Sequence, residues 1–376
     1  MKKHLALLLA LVLLLPVPVR AAGPEVSAKA AVLMEKSTGE VLYEENAHEP
    51  LEPASVTKVM TLLLIEEALD SGRLTKETMV PVSANAAGMG GSQVFLEEGE
   101  ELSVDEMLKA IAVASGNDAS VAMAEYLAGS EAAFVEKMNA RAAELGMEDT
   151  VFQNCTGLPA EGHHTSAYDI ALMSRELILR HPDIRTYSTI WMDSLRDGAF
   201  QLSNTNKLIR FYPGATGLKT GSTDSALYCL SATAEKEGME LIAVVLGSPT
   251  SADRFESAKA LLNYGFASYA LVTPAPSEPL IPVEVTLGTR SAVMPVIDGQ
   301  TQLLLPREEA GQVTTTVSLP DSVPAPVEEG QTLGHLTVLV NGEKKGELPL
   351  VAQEGVEKLS LLQIYKGLLT TLFCGG

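Results

Sequence analysis

The chain has 376 residues, 46% of them hydrophobic and 20% charged, enough to bury a sizeable core and to form two domains or three, as a globular rather than a disordered or fibrous protein. Its 27 basic and 48 acidic residues leave a net charge of −21, and so acidic a surface repels phosphate backbones and argues against nucleic acid as a partner. Cys155, Cys229 and Cys374 are odd in number and widely spaced, which fits neither a disulfide framework nor a zinc site. They read as isolated thiols, two of them buried, with a Cys155–Cys229 bridge as the alternative.

Lys2 and Lys3 precede an unbroken apolar run from Leu5 to Leu15, followed by Pro16, Pro18 and the small-residue end Val19-Arg20-Ala21-Ala22. These are the three regions of a secretory signal peptide, with an apolar core too short to span a bilayer. Residues 1–22 are expected to be removed on export. Next, strand-like runs from Ala30 to Glu35 and Glu40 to Glu45, joined by Ser37-Thr38-Gly39, predict a β-hairpin.

Pro53-Ala54-Ser55-Val56-Thr57-Lys58 opens a predicted helix that continues through Leu62, Leu63 and Ile65 to about Leu69 and stops at Ser71-Gly72. Ser55 and Lys58, three residues apart on one helix face, lie one turn from each other, so the ammonium can reach the hydroxyl. Alone, a Ser-x-x-Lys match is expected about once by chance in a chain of this length.

Residues 81–101, with Gly88, Gly90, Gly91 and Gly99, read as a loop rim. Ser103-Val104-Asp105-Glu106 is a capping-box pattern that starts a helix running to about Ala114. After Ser115-Gly116-Asn117, Asp118 caps a second helix to about Leu127, and a third runs from Glu131 to Leu145 and ends at Gly146. Ser115 and Asn117 thus sit on a tight connection between helices; taken alone, they would merely satisfy the turn backbone.

Asn154-Cys155-Thr156-Gly157-Leu158-Pro159 and Gly162-His163-His164-Thr165 form a loop before a helix predicted from Ser166 to Leu179. With no His-Glu-x-x-His and no acidic residue at a ligand spacing, the adjacent histidines read as loop residues and no metal is expected. Further on come Asn204-Thr205-Asn206-Lys207-Leu208 and Pro213-Gly214-Ala215-Thr216-Gly217-Leu218-Lys219-Thr220-Gly221-Ser222. Strands from Ala226 to Ala234 and Glu240 to Leu246, joined at Lys236-Glu237-Gly238, and a helix from Ala252 to Tyr264 follow. Lys219 and Thr220 offer a charge and a hydroxyl on an extended edge, and Gly221 removes the side chain that would keep a substrate strand away.

At Pro274-Ala275-Pro276 the composition shifts, and short β-rich runs (Val283 to Leu287, Ala292 to Val296, Gln302 to Leu305, Val313 to Leu319, Leu333 to Val340) alternate with turns. They predict a small all-β, sandwich-like module. From Leu359 to Phe373 a helical period puts Leu361, Leu362, Ile364, Tyr365, Leu368, Leu369, Leu372 and Phe373 on one half of the circumference. This amphipathic end either docks on the β module or lies in a membrane interface. The expected division is therefore 1–22, 23–273, 274–352 and 353–376.

Taken together, Ser55-x-x-Lys58, Ser115-Gly116-Asn117 and Lys219-Thr220-Gly221, in that order and at wide separations, resemble the signature of the penicillin-recognising serine acyltransferases. From about Ala30 to Ala267 the chain is similar to the low-molecular-mass penicillin-binding proteins that act as serine-type D-alanyl-D-alanine carboxypeptidases. The resemblance implies an α+β, β-lactamase/transpeptidase-like fold, with an antiparallel sheet flanked by helices and a small all-β domain after it. It implies that Ser55 attacks the carbonyl of the penultimate D-alanine of a peptidoglycan stem peptide and that Lys58 takes the hydroxyl proton, its pKa lowered by burial and by nearby Lys219. Ser115 and Asn117 would relay protons and orient the substrate amide. Lys219 and Thr220 would bind the terminal carboxylate, and the backbone N–H groups of Ser55 and Ser222 would form the oxyanion hole. β-Lactams are the other expected ligands, no cofactor is implied, and the C-terminal helix is assigned to the outer face of the cytoplasmic membrane. A β-lactamase or endopeptidase on the same scaffold, or an inactive wall-binding protein, are the rival readings. With no acidic base for deacylation evident, efficient β-lactam hydrolysis is not expected.

Overall fold

The computed structural model describes residues 23–299 and 302–366. The expected leader, Cys374 and the rest of the amphipathic end from residue 367 lie outside them. Five strands form the main sheet: β1 (Ala30–Glu35), β2 (Val41–Glu45), β3 (Ala215–Thr223), β4 (Leu227–Lys236) and β5 (Met239–Ser248), all antiparallel, in the order β2-β1-β5-β4-β3. Central β5 is buried along its whole length. Alternation splits its side chains: Ile242, Val244 and Leu246 enter one core with Val32 and Met34, while Leu241, Ala243 and Val245 enter another with Leu33 and Leu230.

The first core is closed by helices α1 (Lys58–Asp70), α2 (Val104–Ala112), α3 (Asn117–Ala128), α4 (Glu131–Glu144) and α5 (Ala167–Arg180). The second is covered by α6 (Ser251–Ser268), which brings Phe255, Leu261 and Leu262 onto the outer face of the sheet. α1 is apolar almost all round because it runs through the middle of the helical layer, with Val59, Met60, Leu62, Leu63 and Ile65 all buried. The capping box expected at Ser103 and Glu106 is formed in both directions. Asp118, expected to cap α3, does not. Gly116 holds the N-cap position without a side-chain bond, and the Asp118 carboxylate turns back to accept N–H groups of Val94 and Leu96 at 3.0 and 3.1 Å. A hairpin of Met192–Leu195 and Phe200–Ser203 was not foreseen.

Beyond α6, Tyr269–Val272 pairs antiparallel with Leu303–Pro306, and Leu304 enters the core under α6. The remaining strands make a three-stranded sheet around Val283–Thr286 and a four-stranded sheet around Thr332–Val340 and Glu343–Ala352; Leu333 and Ala352 of the second join Val283, Val285 and Val293 of the first in one small core, and Leu336, Val338, Leu348 and Leu350 make another. Among the described residues, no helix is long and apolar enough to cross a membrane. Leu262 is fully buried between α6 and the sheet, so Leu262→Ala should lower the unfolding free energy by about 2–5 kcal/mol, read from the denaturant midpoint.

Candidate active site

Ser55 lies in a single 3-10 turn, Ala54–Thr57, that runs straight into α1 at Lys58. This differs from the one continuous α-helix expected. The tighter winding brings residues three apart into register, and Lys58 Nζ stands 3.0 Å from Ser55 Oγ. The turn is clamped on two sides. Gly157, with φ of 82°, packs so close that an added Cβ would sit 1.8 Å from the Ala54 carbonyl oxygen. At Gly221 in β3 an added Cβ would come within 2.8 Å of both Pro53 O and Ser55 N.

Lys58 is fully buried. Its ammonium donates to Asn117 Oδ1 at 2.6 Å and to the Thr156 carbonyl at 2.7 Å, as well as to Ser55. Burial pulls its pKa down from 10.5 to about 7, outweighing the opposing influence of Cys155 and Asp118. Lys58 and Lys219 repel each other, and this repulsion joins burial, ahead of Arg254, in holding Lys219 well below the ordinary lysine range. Two of the contacts of Lys58 are carbonyl-type oxygens that can only accept. In the neutral amine its two N–H groups satisfy these, and the lone pair is left facing the one partner that can donate, the Ser55 hydroxyl.

The second wall is the α2–α3 connection. Ser115, at φ of 65°, a region sparsely used by non-glycine residues, turns its hydroxyl to accept from Lys219 Nζ at 2.8 Å. The Asn117 carboxamide has its Oδ1 on Lys58 and its Nδ2 donating to Gly90 O at 2.7 Å. On the third side, β3 is the sheet edge. There Lys219 also donates to the Thr220 carbonyl at 3.0 Å, the Thr220 hydroxyl donates to Thr205 Oγ1 at 2.6 Å, and Ser222 is exposed. Thus Ser55, Lys58, Ser115, Asn117 and Lys219 form one contiguous polar cluster, with Thr220 and Gly221 on the adjoining strand.

Several supporting residues carried no sequence signal. Arg254 of α6 donates to the carbonyls of Gly221 and Cys229 at 3.0 and 3.4 Å, pinning β3 from behind. Asn206 does the same from the side, at 2.8 Å from Gly217 O. His163, expected as a loop residue, is buried. The Gln153 N–H donates to its Nδ1 at 3.0 Å, so Nε2 carries the proton that Thr57 Oγ1 receives at 2.8 Å. Burial lowers its pKa to about 4 and keeps it neutral. Cys155 and Cys229 are both free and buried, not bridged. Among the described residues, no group of three or more His, Cys, Asp and Glu side chains could hold a metal ion.

An amine held against a serine at the edge of an antiparallel sheet, beneath a layer of helices, defines a serine hydrolase. Residues 18–250 match the family described as D-alanyl-D-alanine carboxypeptidase, and residues 278–358 match the C-terminal domain of penicillin-binding protein 5. The chain belongs to the D-alanyl-D-alanine carboxypeptidase family. It is 45% identical to the D-alanyl-D-alanine carboxypeptidase DacF of Bacillus subtilis over 90% of this chain and 88% of that one. Penicillin-binding protein 5 from Haemophilus influenzae superposes with a TM-score of 0.76 at 28% identity, covering 90% of this chain and 100% of that one. The ampicillin-bound penicillin-binding protein D2 of Listeria monocytogenes covers 64% of this chain and 98% of its own, with a TM-score of 0.59 at 33% identity.

Because Gly221 leaves no room for a methyl group against the Ser55 turn, Gly221→Ala should cost about 1–3 kcal/mol by overpacking. Differential scanning calorimetry should register this as a lower melting temperature.

Proposed function

We propose that Ser55 is the acyl carrier of a serine D,D-carboxypeptidase that removes the terminal D-alanine from peptidoglycan stem peptides, and that penicillins acylate the same oxygen. The observation that carries this is the buried Lys58 amine, whose neutral form has one open direction, toward Ser55 Oγ. Neutral Lys58 takes the hydroxyl proton as the oxygen adds to the carbonyl of the penultimate D-alanine. The backbone N–H groups of Ser55 and Ser222 receive the developing oxyanion, aided by the positive end of α1. Ser115, in contact with Lys219, relays the proton held by Lys58 to the departing amine, D-alanine leaves, and water then cleaves the acyl-enzyme.

Lys219 and Thr220 bind the terminal carboxylate of the substrate. A buried lysine with a depressed pKa and no acidic partner gains its counter-ion when that carboxylate arrives. This favours a substrate with a free C-terminus. The hydrogen-bonding partners of Ser55 and Lys58 include no carboxylate, which supports slow penicilloyl release rather than β-lactamase activity.

The protein is an extracytoplasmic cell-wall enzyme, and the leader at residues 1–22 accounts for its export. Residues 23–273 form the catalytic domain and the β domain runs from 274 past the expected 352 to Lys358, since Val356 and Lys358 bridge to Val327 and Gly288; the amphipathic helical end after it lies in the membrane interface on the outer face of the cytoplasmic membrane. Support for the last comes from Leu361, Leu362 and Tyr365, exposed by 86%, 63% and 60% on the one turn of that helix within the described residues.

Fluorescent penicillin should label the wild type covalently and leave folded Ser55→Ala unlabelled; a folded wild type that takes up no label overturns the assignment. Because the base must be neutral and its pKa is lowered to about 7, the acylation rate should rise with pH, reach half its maximum near 7 and fall about tenfold per unit below that. Lys58→Ala should slow acylation by roughly 10²–10⁴-fold and abolish this pH dependence, as stopped-flow measurements across pH 5–9 would register.

A further inference from the structure

The carboxamide of Asn117 can meet Lys58 in two ways, with oxygen or with nitrogen toward the amine. The structure has the oxygen there, at 2.6 Å. Nothing on α3 itself enforces that choice. It is made by the rim loop: the Gly90 carbonyl takes the Nδ2 donor at 2.7 Å, and the Ser92 carbonyl takes the Asn117 backbone N–H at 2.7 Å. The rim must therefore be held at a fixed depth over α3.

Two charged side chains hold it, from opposite sides. From below, the Asp118 carboxylate, 1% exposed, accepts the backbone N–H groups of Val94 at 3.0 Å and Leu96 at 3.1 Å, besides that of Ala119 at 2.9 Å. From the outside, Arg196 sits at the turn of the Met192–Leu195/Phe200–Ser203 hairpin. Its guanidinium donates to the carbonyls of Val94 and Phe95, at 3.0 Å each, and grips Glu100 through Nε at 2.6 Å and an Nη at 3.0 Å. Val94 is thus bonded through its N–H on one side and its carbonyl on the other. Phe95 between them has φ of 56°, a strained conformation for a bulky residue that persists only where neighbours enforce it. Its own side chain is 68% exposed and meets the edge of Phe200, a residue of that same hairpin.

Given that Ser55 is the acyl carrier and Lys58 its base, as proposed above, we infer that Asp118 and Arg196 are positioning residues that clamp the Gly90–Leu96 rim and thereby fix the Asn117 carboxamide with its oxygen on Lys58. Released, the rim withdraws the Gly90 acceptor and the carboxamide is free to turn. Lys58 then loses an acceptor that stabilises its ammonium, and the base is aimed less well at Ser55.

The sign of the pH effect separates this from simple loosening. The titratable groups facing Lys58 are Asp118 from α3, Cys155 from the 154–159 loop and Lys219 from β3, and Arg196→Ala leaves all three in place. Deleting a distant positive charge favours protonated Lys58 and would move the midpoint of the acylation profile up. Losing the Asn117 acceptor moves it down. Stopped-flow acylation by a fluorescent penicillin should show Arg196→Ala slowed about tenfold or more, with its midpoint lowered by roughly half a pH unit. Arg196→Lys, which can reach one carbonyl but not both carbonyls and Glu100 together, should recover part of both changes. Asp118→Asn should slow acylation as Arg196→Ala does; its midpoint falls in any case, because the Asp118 charge itself raises the Lys58 pKa, so its rate alone bears on the inference. If it does not fold, Arg196→Ala, on a partly exposed side chain, still decides the matter. A folded Arg196→Ala with a wild-type profile overturns the inference, as does one whose rate falls while its midpoint stays or rises. A wild type that takes no label is a different failure, that of the Ser55 assignment.

Discussion

The structure depends on keeping a lysine amine dry. An ammonium taken out of water is stable only if hydrogen bonds and charges replace what it loses, and otherwise its pKa falls. Lys58 has two fixed carbonyl-type acceptors and no carboxylate bonded to it, so it stops midway, with a pKa of about 7. A carboxylate in place of Asn117 would keep it charged and remove its ability to take a proton. Fewer acceptors would leave two N–H groups unsatisfied in the interior. The amide on one side and the backbone carbonyl on the other therefore set both the stability and the reactivity of the centre.

That requirement explains the layout around it. The Thr156 carbonyl is delivered by a loop that can approach only because Gly157 has no side chain, and the same loop is tied to the Ser55 turn through neutral His163 and Thr57. Lys219 enters from the opposite wall with its own depressed pKa, which limits the repulsion between two buried amines. Arg254 adds a third positive group behind β3, spent on backbone carbonyls. The cluster is rich in positive groups and poor in anions.

The local signals were strong wherever a motif sits on a single element. Alternation placed β1 and β2 within a residue of their observed limits, and the Ser103–Glu106 box started α2 where a reciprocal cap requires it. Signals failed where the partner is remote. Asp118 looked like a cap because aspartate before a helix usually is one, but its carboxylate accepts the N–H groups of Val94 and Leu96, some twenty residues upstream. The hairpin carrying Arg196 has too few β-branched residues to declare itself, and it is held by what it touches. Arg254 belongs to no motif, and its role comes from the Gly221 and Cys229 carbonyls that the fold brings to it.

By itself, then, the sequence determined the residue types of the centre, their order, and the elements that carry them, since spacing and periodicity are properties of contiguous chain. Only the tertiary structure decided that Ser55 sits on a 3-10 turn, that Lys58 is buried deeply enough to be neutral part of the time, and that Lys219 is brought into the same dry cluster. Desolvation and the orientation of an amide are set by what other segments bring within 3 Å, and no local pattern records that distance.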